Sequence, residues 1–490
     1  MRKQFFYAAL AIAMVMSSCS KDNDPASTDP TGPTGPTVID DTTPVAIQLG
    51  INSPSITATT RGTGTVGSTK TADNKWNEQT LGILMYKVAS DNTETLATEV
   101  TDDATSATAY IFDGLTFKAP KSDATNQLVQ IYNDKTAGIL QAKYYPSSGK
   151  YAFYGYHIDD ASYNTETTKT DTTFTVATKT ISNIIIDGSQ DLLAAVTAPI
   201  PTADPSLGQP YYGAVMGDTD WDTMAKQSFS AWSARRNVQP NLTFEHKLAR
   251  LRFYVKAGGP EAADSIWNTT SSVWQKRDDV AVSGTNYSPA VTITQINVLG
   301  LDSIVDMQLS RAATGDQLTV PLTLNTNSKP ATFSLKSATT DANGKLQALE
   351  PTFPKYDATV TASEATTGNK YYKASTPVGE SLMFFPTGEC ESSIKLSIAV
   401  QQAVLDTYKL DGSGNMTEQT YILKKDILPY TLTAESIKKD GTAITKFEPG
   451  KSYDITIKVY EYTRIEITAT LSSWTEGGSV EVAPGDSFTE

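Results

Sequence analysis

Short runs in which apolar and polar residues alternate recur along almost the whole chain, and this period of two narrows the possible folds more than any other feature. Val45, Ile47, Leu49 and Ile51 alternate with Ala46, Gln48 and Gly50. Comparable runs lie at 81–88, 128–132, 151–158, 173–186, 291–299, 318–324 and 396–404. Turn-forming residues such as Ser147-Ser148-Gly149, Asp187-Gly188 and Asp440-Gly441 separate them. Threonine is abundant throughout, and helical periodicity is scarce and short. Many strands joined by polar turns predict an all-β protein built of sandwiches, and 490 residues leave room for two or three domains.

The first residues set the compartment. Arg2 and Lys3 precede an uncharged apolar stretch over 5–16, shorter than the roughly 20 residues a membrane-crossing helix needs. Ser17 and Ser18 then lead into Cys19, so 1–18 is a secretory signal to be left out of the fold. Met16-Ser17-Ser18-Cys19 resembles a bacterial lipobox, which implies that Cys19 becomes the first mature residue and carries acyl chains. The alternative is an ordinary signal peptide with an incidental cysteine. Ser20-Lys21-Asp22-Asn23-Asp24 resembles the acidic export tag of Bacteroidota lipoproteins, implying the outer face of the outer membrane. Residues 19–43, with Pro30, Gly32, Pro33, Gly35 and Pro36, lack the apolar content to pack and form a flexible tether.

Composition excludes several functions. A net charge of −14 opposes nucleic-acid binding, which needs a basic face. His157 and His246 are the only histidines and offer little for metal or acid–base chemistry. Asp218, Asp220 and Asp222 alternate like calcium ligands but lack the glycine and distal glutamate of an EF-hand. Asp411-Gly-Ser-Gly-Asn415 is a polar hairpin loop, because Met416 stands where an EF-hand needs glycine. No nucleophile elbow, phosphate-binding loop or zinc motif is present, so no enzyme, metal site or cofactor is expected. Cys390, the second cysteine, is expected to be a small buried residue, and with Cys19 acylated no internal disulfide can form. Trp221, Trp232, Trp267 and Trp274 could form an aromatic sugar platform, although packing is the preferred reading.

The best domain boundary falls at 235–240, giving domains 44–239 and 240–490. Beyond it Leu242, Phe244, His246 and Leu248 share one parity, after which Leu251, Phe253 and Val255 take the other. A β-bulge near Ala249-Arg250 is the simple repair for this slip. His246, among these apolar residues, is expected to be a structural, hydrogen-bonded histidine. Near the end, Ile455, Ile457 and Val459 share odd parity with Ile465, Ile467, Ala469 and Leu471, and the polar stretch 460–464 turns between them. Such a hairpin belongs in the middle of a sheet.

The string Leu242-Thr-Phe-Glu-His-Lys-Leu-Ala-Arg-Leu-Arg-Phe-Tyr-Val255 resembles the central strand of fimbrillin-type and Mfa-like proteins of Bacteroidota type V pili. Tyr151-Ala-Phe-Tyr-Gly-Tyr156, Ser189-Gln-Asp-Leu-Leu-Ala194, Phe447-Glu-Pro-Gly-Lys-Ser-Tyr453 and Leu471-Ser-Ser-Trp474 follow the family's order across most of the mature chain. The resemblance implies two transthyretin-like Greek-key β-sandwich domains in tandem. It also implies export as a lipoprotein, followed by trypsin-like removal of the N-terminal strand so that a neighbour's strand can enter the vacated groove. No Lys or Arg lies between Lys21 and Arg61, so the expected cut is between Arg61 and Gly62. It would release the lipid together with the leaving strand of Val45, Ile47, Leu49 and Ile51. The candidate donor lies in 477–490 around Val480 and Val482. Expected partners are other fimbrillin subunits, the outer membrane through Cys19, and host or bacterial surface ligands. Two alternatives are an uncleaved pilus anchor and a surface glycan-binding lipoprotein of a nutrient-uptake system.

Overall fold

The computed structural model describes residues 44–52, segments of 76–197, 229–235, 239–309, 321–341, 346–359, 374–439 and 442–472. The chain divides into the units Met1–Asp40 and Asp41–Glu490, and every described residue belongs to the second. The strands used below are β1 (Gly50–Asn52), β2 (Thr80–Val88), β3 (Lys150–Ile158), β4 (Thr180–Ile185), β5 (Leu192–Val196), β6 (Asn241–Thr243), β7 (Glu245–His246) and β8 (Ala249–Ala257). They continue with β9 (Ser265–Asn268), β10 (Val273–Lys276), β11 (Thr292–Asp302), β12 (Ile304–Gln308), β13 (Lys355–Tyr356) and β14 (Thr376–Phe384). The last four are β15 (Ser393–Leu410), β16 (Met416–Thr433), β17 (Ser452–Glu461) and β18 (Arg464–Ser472). Among the described residues helix is confined to short pieces such as Ala231–Arg235, so the all-β class expected from the alternation is what the chain adopts.

One eight-stranded sheet, in which β7, β5, β3 and β2 lie side by side, explains why its strands are apolar almost without interruption. Leu81, Ile83 and Met85 of β2 enter a first apolar cluster, whereas Leu84, Tyr86 and Val88 enter a second on the opposite face. The same split separates Tyr151 and Phe153 from Ala152 and Tyr154 on β3, and Leu193 and Ala195 from Leu192, Ala194 and Val196 on β5. A sheet covered on both faces needs apolar residues at both parities, which is why Leu192-Leu-Ala-Ala-Val196 shows no alternation. The second cluster runs on into β8, β11, β14, β15 and β17. Strands distant in sequence also join directly: β4 pairs antiparallel with β12, and β1 runs parallel to β6.

The phase slip after residue 248 has a different cause from the expected bulge at Ala249-Arg250. Leu242 and Phe244 pack in the first cluster, while Leu248, Leu251, Phe253 and Val255 pack in the second. β7 pairs with β5 in the eight-stranded sheet, and three residues later β8 begins in a six-stranded sheet between β14 and β17. The chain changes sheets, and the parity that faces an apolar core changes with it. The Lys247 N–H donates to Leu192 O at 2.8 Å and the Arg250 N–H to Lys451 O at 3.0 Å, pinning both sides of the crossing. A register shift does occur within β8, against β14, between Leu251 and Phe253.

In the six-stranded sheet the C-terminal hairpin sits inside, as its patterning required. Ile455, Ile457 and Val459 of β17 stand opposite Ala469, Ile467 and Ile465 of β18. The other face of β8 and β17 is polar yet buried near its start. The Arg252 Nε and Nη2 donate to the two carboxylate oxygens of Asp454, both at 2.6 Å, and the Arg250 Nε donates to Ser452 Oγ at 2.9 Å. Burial, with Arg252 alongside, pushes the Arg250 guanidinium down to about 9.

β15 and β16 form a hairpin of two 18-residue strands. Its inner half buries Ile394, Leu396, Ile398 and Val400 in the second cluster. Residues 405–420 are exposed at every position, so the outer half is a two-stranded ribbon in solvent. The turn Asp411–Asn415 closes it, with the Ser413 and Asn415 N–H groups both donating to Asp411 Oδ1 at 2.8 Å. The polar hairpin loop expected there is present.

Candidate functional site: a strand held on both edges

The segment 45–52 runs between two parts of the chain and bonds to both. On one side its neighbours are antiparallel, with bridges from Ala46 to Tyr144 and from Gly50 to Leu128. The Ile47 N–H donates to Lys143 O at 2.7 Å, the Tyr145 N–H to Val45 O at 3.0 Å and the Val129 N–H to Leu49 O at 2.8 Å. On the other side β1 is parallel to β6, with Gly50, Ile51 and Asn52 opposite Asn241, Leu242 and Thr243. There the Gly50 N–H donates to Pro240 O at 3.0 Å, and the Gln48 N–H to Gln239 Oε1 at 3.4 Å.

The side chains obey the alternation. Ile47, Leu49 and Ile51 are all but fully buried in the first cluster, and Val45 packs against its edge. Three buried aliphatic side chains at ~1.5–3 kcal/mol each give this segment roughly 4.5–9 kcal/mol of burial before the cost of ordering it. At Gly50 an added Cβ would sit 2.9 Å from Asn241 Oδ1, so a larger residue there would need the Asn241 amide to shift. Around the segment lie Trp76, Phe153 and Phe244, with Trp76 edge-on to Phe244 at 5.1 Å and Phe244 against Gly155, whose missing Cβ would lie 2.8 Å from that ring.

Of the residues expected to matter, Val45, Ile47, Leu49 and Ile51 are brought together in this slot. Cys19, Arg61, Gly62, Val480 and Val482 lie outside the described residues, as do Asp218, Asp220, Asp222 and Trp221. The flanks of the slot were not singled out in the sequence. Val129 and Tyr145 sit on one side and Gln239, Asn241 and Leu242 on the other. Residues 128–132 carry a strand signal and Leu242 an alternating one, but neither names the strand it will pair with.

The two histidines serve the fold. His246 Nδ1 lies 2.5 Å from Asp191 Oδ2, both groups buried at the sheet crossing, so it is the hydrogen-bonded structural residue expected. His157 Nδ1 is 2.8 Å from Thr80 O, and its ring packs on Trp76. Cys390 is buried with its Sγ 3.4 Å from Gly300 O, and burial followed by Asp302 and Glu389 pushes its thiol up, away from the reactive thiolate. Among the described residues no group of His, Cys, Asp and Glu could hold a metal ion. Trp267 and Trp274 meet across β9 and β10, and Trp232 lies in the helix Ala231–Arg235.

Fold and slot together define a multi-sheet β-protein whose first described strand pairs in parallel with β6 along one edge and bridges to 128 and 144 along the other. No family model matches the chain, and no curated protein matches its sequence. Among solved structures it is similar to a candidate cell adhesion protein from Bacteroides uniformis, at 12% identity and TM-score 0.37 over 88% of this chain and 99% of that one. It is also similar to the fimbrial anchor protein Mfa2 from Porphyromonas gingivalis, at 11% identity and TM-score 0.27 over 88% and 99%. A third likeness is to the tip fimbrial protein Mfa3 of the same species with C-terminal truncation, at 10% identity and TM-score 0.28 over 87% and 99%.

Proposed function

We propose that this chain is a structural subunit of a cell-surface pilus, exported as an outer-membrane lipoprotein through Cys19 and polymerised by strand exchange. The observation that carries the proposal is the slot: segment 45–52 is bonded along both edges and buries three aliphatic side chains, yet it precedes the rest of the fold in the chain. A cut between Arg61 and Gly62 would separate it covalently from everything it packs against. Its departure would leave two rows of unpaired backbone groups and an apolar trough, a combination that strongly favours a replacement strand. A strand with aliphatic residues at alternate positions, supplied by a neighbouring subunit, would restore both sets of interactions. In this reading the region of Val480 and Val482 is the donor offered onward.

Limited trypsin treatment of the purified chain tests it. The expected result is a new N-terminus at Gly62, loss of 45–52, and a ladder of oligomers on gels run without boiling. Ladders formed by chains that keep Val45–Ile51 would overturn strand exchange at this slot. A chain that resists cleavage and never polymerises would point instead to an anchor that keeps its lipid.

A further inference from the structure

The three-stranded sheet β10–β9–β13 lies beside the second cluster and carries a feature that the pilus reading does not use. Ile266 of β9 and Tyr356 of β13 are register partners and pack against that cluster. Alternation therefore puts Trp267 on the opposite, outward face, together with its partner Trp274 on β10. Both indoles are only partly buried there, with ring centroids 5.3 Å apart at 65°, forming a corner. Ser265 pairs with Lys276 on one side and Lys355 on the other, so both amines share the tryptophan face. Lys355 Nζ stands 5.2 Å from the Trp274 ring centroid. Lys276 is well exposed, 3.6 Å from the less exposed Asp279, a spacing that leaves its hydrogen-bonding capacity largely to solvent.

A cross-strand tryptophan pair can simply staple a hairpin. A staple, however, needs no cation on the ring and no second amine beside it. The rings lie on the face opposite the core and are only partly covered, where aromatic surface can serve as a contact site. In a chain of net charge −14 this face gathers two ammonium groups around two indoles. Indole faces stack on the C–H face of a pyranose, and ammonium groups make charge-assisted hydrogen bonds to carboxylate or sulfate. We propose that the Trp267–Trp274 corner, with Lys276 and Lys355, binds an acidic oligosaccharide.

Titrating the purified full chain with hexagalacturonate or a chondroitin sulfate hexasaccharide, and with cellohexaose as the neutral control, tests this through intrinsic tryptophan emission and calorimetry. Saturable binding of at least one acidic glycan is expected, weakening as salt is raised, with cellohexaose bound about ten-fold more weakly or not at all. Trp274→Ala should lower affinity about ten-fold and Trp274→Phe much less, while Lys276→Ala and Lys355→Ala should each cost several-fold and flatten the salt dependence. The lysine variants keep the test decisive should Trp274→Ala unfold the hairpin. Absence of saturable binding by both acidic glycans overturns the proposal. So does equal binding of cellohexaose, or binding that both lysine substitutions leave intact. The trypsin-dependent ladder is read separately, so failure here leaves the slot untouched.

Discussion

Segment 45–52 and the outer half of the β15–β16 hairpin are both extended chain with aliphatic side chains, yet they have opposite fates. The first lies between antiparallel neighbours at 128–129 and 143–145 and a parallel neighbour at 241–243, with Ile47, Leu49 and Ile51 buried. The second is paired only with its own hairpin partner. Leu405 stands opposite Tyr421 and Leu410 opposite Met416, and Leu405, Tyr408, Leu410 and Met416 all remain substantially exposed. An isolated two-stranded ribbon is marginal in water, so the outer half depends on the inner half that grips the second cluster and on local contacts such as the Lys409–Glu418 ion pair. The difference teaches that a strand's sequence sets which side chains point together, while the strands beside it set whether they are buried.

The largest expected break in this comparison comes from placing the same charge in both regions. Leu49→Asp should cost more than about 4 kcal/mol, because it loses the leucine's burial and leaves an unpaired carboxylate in the first cluster. Leu410→Asp should stay within about 0.5 kcal/mol of the parent, since its site is already wet. Urea denaturation followed by near-ultraviolet circular dichroism measures both, and equal costs would erase the distinction.

A smaller effect should come from overfilling the packing around the slot. Gly155→Val drives a side chain into the Phe244 ring and should destabilise by about 1–3 kcal/mol, read as a lowered denaturation midpoint. Shortening the ribbon, with 406–420 replaced by an Asn-Gly turn, should change stability by less than about 0.5 kcal/mol and leave the trypsin-dependent ladder unaltered. A ladder lost with the ribbon would make the ribbon part of the polymer joint.

The finest test concerns the ribbon's tip. Hydrogen bonds from Asn415 first, then Ser413, hold the Asp411 carboxyl below its usual 3.8. A carboxylate whose folded value is depressed contributes fully above its unfolded value and is lost only as pH falls through the lower, folded one. The Ser413 and Asn415 amide resonances should therefore titrate with a midpoint below 3.8, and Asp411→Ala should abolish that titration without moving the global melting midpoint. Titration at the usual carboxylate value would show that the turn is open in solution.

Legibility in the sequence followed the number of faces that each strand buries. Segment 45–51 and the pair β17–β18 place their buried aliphatic side chains at one parity each, so the alternation revealed both the strands and their apolar faces. β3, read among the alternating runs as 151–158, in fact buries both parities between two apolar clusters, as does β5, so a period of two could not tell which residue served which core. The chain's passage from β7 to β8 looked like a local irregularity, because a parity slip is the same in sequence whether a strand bulges or changes sheets. The ends of β15 and β16 lacked an apolar pattern because their outer half buries nothing. The acidic partner of His246 was equally hidden, since Asp191 comes from another strand's start.

By itself the sequence determined that the chain is all-β, that Ile47, Leu49 and Ile51 point the same way, that 411–415 turns, and that the C-terminal hairpin pairs at odd positions. These follow from the two-residue period of an extended backbone and from local turn chemistry, which act over a few residues. Only the tertiary structure decided that 45–52 is held on both edges by residues far along the chain, that one sheet serves two cores, and that Trp267 and Trp274 share an outward face with Lys276 and Lys355. Those outcomes depend on which strands lie side by side. That choice is settled by the summed burial and hydrogen bonding of the whole sheet, and no single strand carries it in its own residues.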